Sequence, residues 1–164
     1  MNNKELVKQT ELPEPYLSYG CNFRSLSAIA EIAVDALLTK DQCLSLGEKA
    51  IKEGWMLEDC TVLKPEQLIN ETFTLLNSWH RVRNVGYINE KDEALNWAGT
   101  IINSFDFIII RVLHSCGVGD HFVLADKDRE IIYDPTPRSI SVKIWQDKGG
   151  DRIAAKAMYL YKVI

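Results

Sequence analysis

The sequence predicts an α+β fold in which N-terminal helices pack on a C-terminal antiparallel sheet. In the first half, apolar residues recur three and four positions apart, as they do on the buried face of a helix. The second half holds short apolar and β-branched runs, which are typical of strands, and the two kinds of segment do not alternate. At 164 residues the chain has the length of one compact domain. We therefore predict a polar lead-in at residues 1–15 and a single domain at 16–164.

Capping signals divide the helical half into three predicted helices. Thr39 and Gln42, three residues apart, form a capping-box pattern, and Gly54 is a typical residue at a helix end. Pro65 suits the first turn of a helix. The predicted helices are 22–38, 40–53 and one that begins at Pro65 and buries Leu68, Ile69, Phe73 and Leu76.

The second half of the chain predicts a sheet. The run FDFIIIRVL at 105–113 is apolar and β-branched throughout, as expected of a central strand. Shorter runs predict further strands at 81–88, 121–124, 130–133 and 154–163, and a helical turn at 90–97.

Charge and cysteine content restrict the class of function. A net charge of -4 disfavours binding to nucleic acid, which requires a basic face. No apolar run is long enough to span a membrane, and the N-terminus has no signal-peptide core, so we expect a cytoplasmic protein unless other machinery or lysis releases it. No cofactor is predicted, and the sequence does not indicate the oligomeric state.

The four cysteines, at positions 21, 43, 60 and 116, contain no CxxC pair. Free thiols are therefore expected rather than a zinc knuckle or disulfides. Cys43 and Cys60 are expected to be structural, although Cys60 and Cys116 lie near predicted loops and could be exposed. A metal site made of Cys60, His114, Cys116 and His121 is an alternative, but its ligand spacing matches no common site.

The segment HFVLADKDREIIYD, at 121–134, predicts a hairpin with chemical consequences. If Lys127 and Asp128 form a two-residue loop, His121 lies directly opposite Asp134 on the neighbouring strand. A carboxylate beside an imidazole fixes its tautomer and stabilises its protonated form. Such a histidine can take a proton from a thiol. The structural alternatives are that His121 is an ordinary strand residue and that Asp134 is an ordinary turn residue before proline.

Cys21 follows a glycine in the stretch YGCNFRSL and opens the first predicted helix. A helix N-terminus favours a thiolate, and its free N–H groups can hold a developing oxyanion. Cys21, His121 and Asp134 therefore have the chemistry of a thiol hydrolase, as nucleophile, base and orienter. The alternative for Cys21 is a buried core residue, and Arg24, one turn on, is expected to be solvated.

These motifs resemble the papain-like cysteine peptidase superfamily. GC at 20–21, DHFVL at 120–124 and YDP at 133–135 are similar to the compact bacterial branch that includes the double-glycine leader peptidases of bacteriocin exporters. The YGCxFxSL pattern also resembles small, mostly uncharacterised bacterial and phage proteins. The resemblance spans roughly residues 19–137, and it implies a papain-like fold and cleavage of an amide bond in a peptide or a peptidoglycan-like cell-wall peptide.

The chain departs from that family at one position. The family usually has a glutamine about six residues before the cysteine, where it supplies an oxyanion donor, but position 15 is proline here. The donor role then passes to Ser18, Asn22 or a backbone N–H group. A non-catalytic binding or interaction module that keeps the papain-like fold is the alternative function.

Overall fold

The computed structural model describes residues 6–89, 105–113, 120–128, 130–136 and 155–164. In these residues the fold is α+β, as predicted, with the helices first and the strands second. The predicted helical turn at 90–97 lies outside the described residues. The helices are α1 (Tyr16–Tyr19), α2 (Cys21–Val34), α3 (Lys40–Lys52) and α4 (Pro65–Leu75), and the strands are β1 (Val82–Asn89), β2 (Phe107–Leu113), β3 (Asp120–Asp126), β4 (Ile131–Tyr133) and β5 (Ala155–Val163).

The five strands form one antiparallel sheet in the order β1-β5-β2-β3-β4. The apolar strand β2 lies between β5 and β3, so the prediction of a central strand is confirmed. Its alternate residues face two separate apolar clusters, with Ile109 towards the helices and Ile108 and Ile110 towards the other side. None of the helices in the described part of the chain is both long and apolar enough to cross a membrane.

The helix ends follow local hydrogen bonding. Thr39 caps α3 with both bonds of the predicted capping box, to and from Gln42. Helix α2 ends earlier than predicted because Asp35 takes a left-handed conformation, with φ of 51°. Leu38 is still buried, and its N–H donates to the Glu31 carboxylate at 2.8 Å.

Residues 6–15, which were predicted to belong to a polar lead-in, contribute several buried side chains to the core. Leu6, Val7 and Leu12 are buried against the helices. The Val7 carbonyl accepts hydrogen bonds from Arg24 Nε at 2.9 Å and from the Tyr133 hydroxyl at 2.8 Å. These bonds satisfy a buried backbone oxygen and fasten the segment to both α2 and β4.

Arg24 is fully buried, contrary to the solvated position expected for it. Its guanidinium pairs with Glu31, two turns along α2, at 2.9 Å, and it also donates to Ser27. A buried guanidinium needs several acceptors at once. The Glu31 carboxylate, on the same helix, and the Val7 carbonyl are two of those acceptors. An amphipathic pattern indicates neither of them.

Candidate active site

A tight turn between α1 and α2 places Cys21 at a helix start. The Gly20 N–H donates to the Tyr16 carbonyl at 2.8 Å, and the first backbone bond of α2 runs from the Arg24 N–H to the Gly20 carbonyl at 2.9 Å. A Cβ atom at Gly20 would lie 2.6 Å from the Tyr16 carbonyl oxygen. A side chain at this position would therefore displace the turn, and the thiol follows directly at the positive end of α2.

Helix α2 packs on strand β3 and is fixed to it beside the candidate site. The buried Ser25 hydroxyl donates to the Phe122 carbonyl at 3.0 Å. Ser25 lies one turn after Cys21, and Phe122 is the neighbour of His121. This bond therefore ties the start of the helix to the strand that carries the imidazole.

The His121 imidazole contacts the Asp134 carboxylate. His121 Nε2 lies 2.7 Å from Asp134 Oδ1, and the His121 residue is only 2% exposed. The same carboxylate oxygen accepts the Thr136 N–H at 3.0 Å. The predicted contact between His121 and Asp134 is therefore present, and the same carboxylate oxygen is also held by the backbone of the chain that follows it.

The hairpin that carries this contact differs from the two-residue loop that was predicted. The Asp126 N–H donates to the Glu130 carbonyl at 3.0 Å, and after a bulge Leu124 pairs with Tyr133. The predicted register, with His121 directly opposite the carboxylate, is wrong. The side chains still meet because β4 ends at Tyr133, so the next residue is not bound by strand alternation.

His121 also contacts Cys21, and its titration reflects both partners. Burial alone favours the neutral ring, but hydrogen bonds to Asp134 and Cys21, together with their negative charges, outweigh it and raise the pKa of His121 to about 9. The ring thus interacts with both a thiol and a carboxylate.

A cavity of about 700 Å³ opens over the start of α2. Of the three predicted site residues, Cys21 lines this cavity, whereas His121 and Asp134 do not. Arg111 and Asp120 form a side-chain ion pair on its wall, and the Arg111 guanidinium also bonds the Tyr159 hydroxyl group. The apolar and aromatic part of the wall consists of Leu26, Ile109, Phe122, Tyr159 and Tyr161.

The two side chains predicted as oxyanion donors both line the cavity. The Ser18 hydroxyl donates to the Glu14 carboxylate, and the Ser18 N–H bonds the same group at 3.2 Å. The hydroxyl proton of Ser18 is therefore already used. Asn22 and the N–H groups at the start of α2 are the better placed donors for an anion beside Cys21.

The other described cysteines lie in environments that suppress thiolate formation. Cys43 is buried in α3, and burial raises its pKa to about 11. Cys60 is 3% exposed rather than exposed as its loop position suggested, and burial raises its pKa to about 12. Among the described residues no group of three His, Cys, Asp or Glu side chains could hold a metal ion, and His114 and Cys116 lie outside them.

Three residues around the site were not predicted from the sequence. Ser25 makes a hydrogen bond that ties the start of α2 to β3, and Gln9 and Thr136 make hydrogen bonds to residues 134–136 after β4. A serine in the buried stripe of a helix is a weak signal of such a bond. Gln9 and Thr136 are polar residues in irregular segments, and no periodic pattern distinguishes them.

Comparison with protein-family models, with curated proteins and with solved structures finds no significant match for this chain.

Proposed function

We propose that the protein is a papain-like cysteine hydrolase that cleaves an amide bond through Cys21, His121 and Asp134. One observation carries this proposal: the His121 ring contacts the Cys21 thiol group and the Asp134 carboxylate together. A nucleophile, a base and an orienting group in that order are what thiol hydrolysis requires.

Each residue then has a defined role in the reaction. His121 holds the proton of Cys21, and the thiolate sulfur attacks the carbonyl carbon of the substrate amide. Asn22 and the N–H groups at the start of α2 stabilise the oxyanion that forms. His121 passes its proton to the leaving amine, and a thioester to Cys21 remains.

Water completes the cycle in the second half of the reaction. His121 takes a proton from a water molecule, whose oxygen attacks the thioester carbonyl. The acid product leaves, and the proton returns to the Cys21 and His121 pair. Asp134 keeps the ring in one orientation throughout and stays ionised.

The cavity supports a peptide-like substrate. Its volume of about 700 Å³ is within the range of small-ligand sites and accommodates a few residues of a peptide. The aromatic side chains of Phe122, Tyr159 and Tyr161 offer apolar contact, and the cavity extends from Cys21 along the sheet. Peptides and cell-wall peptides both fit this description.

The test of the proposal is the relative reactivity of the thiols, which needs no substrate. We expect Cys21 to be alkylated first near neutral pH, since Cys43 and Cys60 are buried with raised pKa values. Mass mapping after brief, substoichiometric alkylation identifies the modified site. The same assay compares all four cysteines, including Cys116.

A pair of histidine variants makes this test specific. His121→Ala should slow Cys21 alkylation by about tenfold or more, because the proton acceptor is lost. His80→Ala is the control, since His80 stacks on Trp79 at 4.5 Å and makes no contact with the site. The proposed pairing of Cys21 with His121 would be refuted if another cysteine were alkylated first, or if the two variants changed the Cys21 alkylation rate equally.

A non-catalytic module with the same fold is the second candidate. Two observations favour it: proline occupies the family's glutamine position, and His121 is buried outside the cavity lining. Such a protein would bind peptides without cleaving them. A Cys21 that reacts no faster than a simple thiol, in a protein that still binds a peptide ligand, is the result expected of this candidate.

A further inference from the structure

Gln9 is a buried amide that bridges two parts of the candidate site. It is 4% exposed and lies in the short 3-10 turn Gln9–Glu11. Its Nε2 donates to the Leu17 carbonyl at 3.0 Å, and its Oε1 accepts the Thr136 hydroxyl at 2.8 Å. Its backbone N–H donates to the Pro135 carbonyl at 3.0 Å.

The two ends of this bridge lead to the nucleophile and to the carboxylate. Leu17 lies in α1, which Gly20 joins directly to Cys21. On the other side, the Thr136 N–H donates to Asp134 Oδ1, the oxygen that also contacts His121. A continuous series of bonds therefore runs from α1 through Gln9 and Thr136 to the carboxylate.

The carboxylate needs such a tether because it lies beyond the sheet. Strand β4 ends at Tyr133, so no ladder bonds fix Asp134 or the two residues after it. The neighbouring Lys8 adds a second tie, with Nζ donating to the Asp134 carbonyl at 2.7 Å. Side-chain and backbone bonds from the N-terminal segment thus replace the missing strand pairing.

We propose that Gln9 and Thr136 are positioning residues that hold the Asp134 carboxylate against His121 and keep it in register with the Cys21 helix. This role rests on the proposed function for its meaning in catalysis. Gln9 is suited to it because an amide can donate at one end and accept at the other, which neither a carboxylate nor an aliphatic side chain does.

Conservative variants and NMR of the imidazole test this role without a substrate. Thr136→Val removes the hydroxyl bond to Gln9 and keeps the shape of the side chain, Thr136→Ser keeps the hydroxyl, and Gln9→Met removes both amide bonds. Thr72→Val is the matched control, because the buried Thr72 hydroxyl donates to the Leu68 carbonyl at 2.9 Å within α4, away from the site.

The measurement is the titration of His121 in protein carrying ¹⁵N-labelled histidine, with the His121→Ala variant to assign its signal. The ionisable groups that act on the ring are Asp134 and Cys21, and Lys8 lies beside Asp134. We expect Thr136→Val and Gln9→Met to lower the midpoint by about 0.5 to 1 pH unit, because the carboxylate loses its fixed distance. Thr136→Ser and Thr72→Val should titrate like the unmodified protein.

The outcomes separate the positioning role from the proposed function. A wild-type titration in both Thr136→Val and Gln9→Met overturns the positioning role, and Thr136→Val alone decides if Gln9→Met does not fold. An equal shift in Thr72→Val also overturns it, because the effect would then come from general loosening. Slow alkylation of Cys21 in the unmodified protein would refute the hydrolase proposal, while the His121 titrations would still decide the role of Gln9 and Thr136.

Discussion

The Ser25 hydroxyl donates to the main-chain carbonyl of Phe122 at 3.0 Å, and this bond joins helix α2 to strand β3. Ser25 is one turn from Cys21, and Phe122 is adjacent to His121. The Cys21 thiol and the His121 ring are proposed to exchange a proton. They thus lie on two elements that this bond joins close to both residues. Because hydrogen-bond geometry is sensitive to displacements of a few tenths of an ångström, we expect the loss of this bond to disturb the contact between the thiol and the ring.

We predict that Ser25→Ala slows Cys21 alkylation near neutral pH by roughly three- to tenfold, because the helix start loses its tie to the strand. The free energy of unfolding should fall by about 1 to 2 kcal/mol, since the buried Phe122 carbonyl loses its donor. Ser45→Ala is the control, as Ser45 is an exposed helical serine in α3. An alkylation rate in Ser25→Ala that equals the Ser45→Ala rate would show that the bond has no effect on the site.

Asp134 provides a graded test of orientation. In Asp134→Asn the amide oxygen can still accept from the His121 ring and from the Thr136 N–H, whereas Asp134→Ala leaves both donors without this partner. We therefore expect Asp134→Ala to slow Cys21 alkylation by about tenfold or more. The loss of rate in Asp134→Asn should be several-fold smaller than the loss in Asp134→Ala. Equal rates in the two variants, at equal thermal stability, would count against an orienting role.

The raised pKa of His121 predicts a pH dependence of stability. Its folded pKa of about 9 lies above the ordinary value of 6.5, so the protonated ring stabilises the native state. This stabilisation is complete below pH 6.5 and is lost as the pH rises through 9. The total is on the order of 3 kcal/mol.

Denaturant unfolding between pH 6 and 10 measures this effect. The free energy of unfolding of the unmodified protein should decline relative to that of His121→Gln, in which position 121 does not titrate. In Cys21→Ala the decline should begin at lower pH, because one hydrogen bond and one negative charge that raise the His121 pKa are gone. Parallel pH profiles for the unmodified protein and His121→Gln would exclude the raised pKa.

Much of the fold follows from local patterns in the sequence. The capping box at Thr39 and Gln42, the proline that opens α4 and the apolar run of β2 are signals from residues close together in the chain. Each fixes one element without reference to the rest of the molecule. The α+β order and the central position of β2 were therefore predictable.

The candidate site was predictable only in part, because its geometry depends on distant residues. The contact between His121 and Asp134 was predicted, but through a register that is wrong, since a longer loop and a bulge are not encoded in the apolar alternation. The burial of Arg24 was missed because its acceptors include the Val7 carbonyl, 17 positions away. Gln9 was missed for the same reason, as Thr136 is 127 positions away.

Gly20 gives the sharpest test of how Cys21 is placed. A Cβ atom there would lie 2.6 Å from the Tyr16 carbonyl oxygen, so Gly20→Ala must move the turn between α1 and α2. Gly54→Ala is the matched control, because Gly54 has φ of 74° and open space around it, and its cost is purely conformational. Both variants should lose about 1 to 2 kcal/mol in the free energy of unfolding.

Only Gly20→Ala should also slow Cys21 alkylation, by about tenfold, because the sulfur moves away from His121 and from the helix N–H groups. Denaturant unfolding and timed alkylation of both proteins measure the two effects, and an unchanged Cys21 rate in Gly20→Ala would show that the turn does not position the thiol.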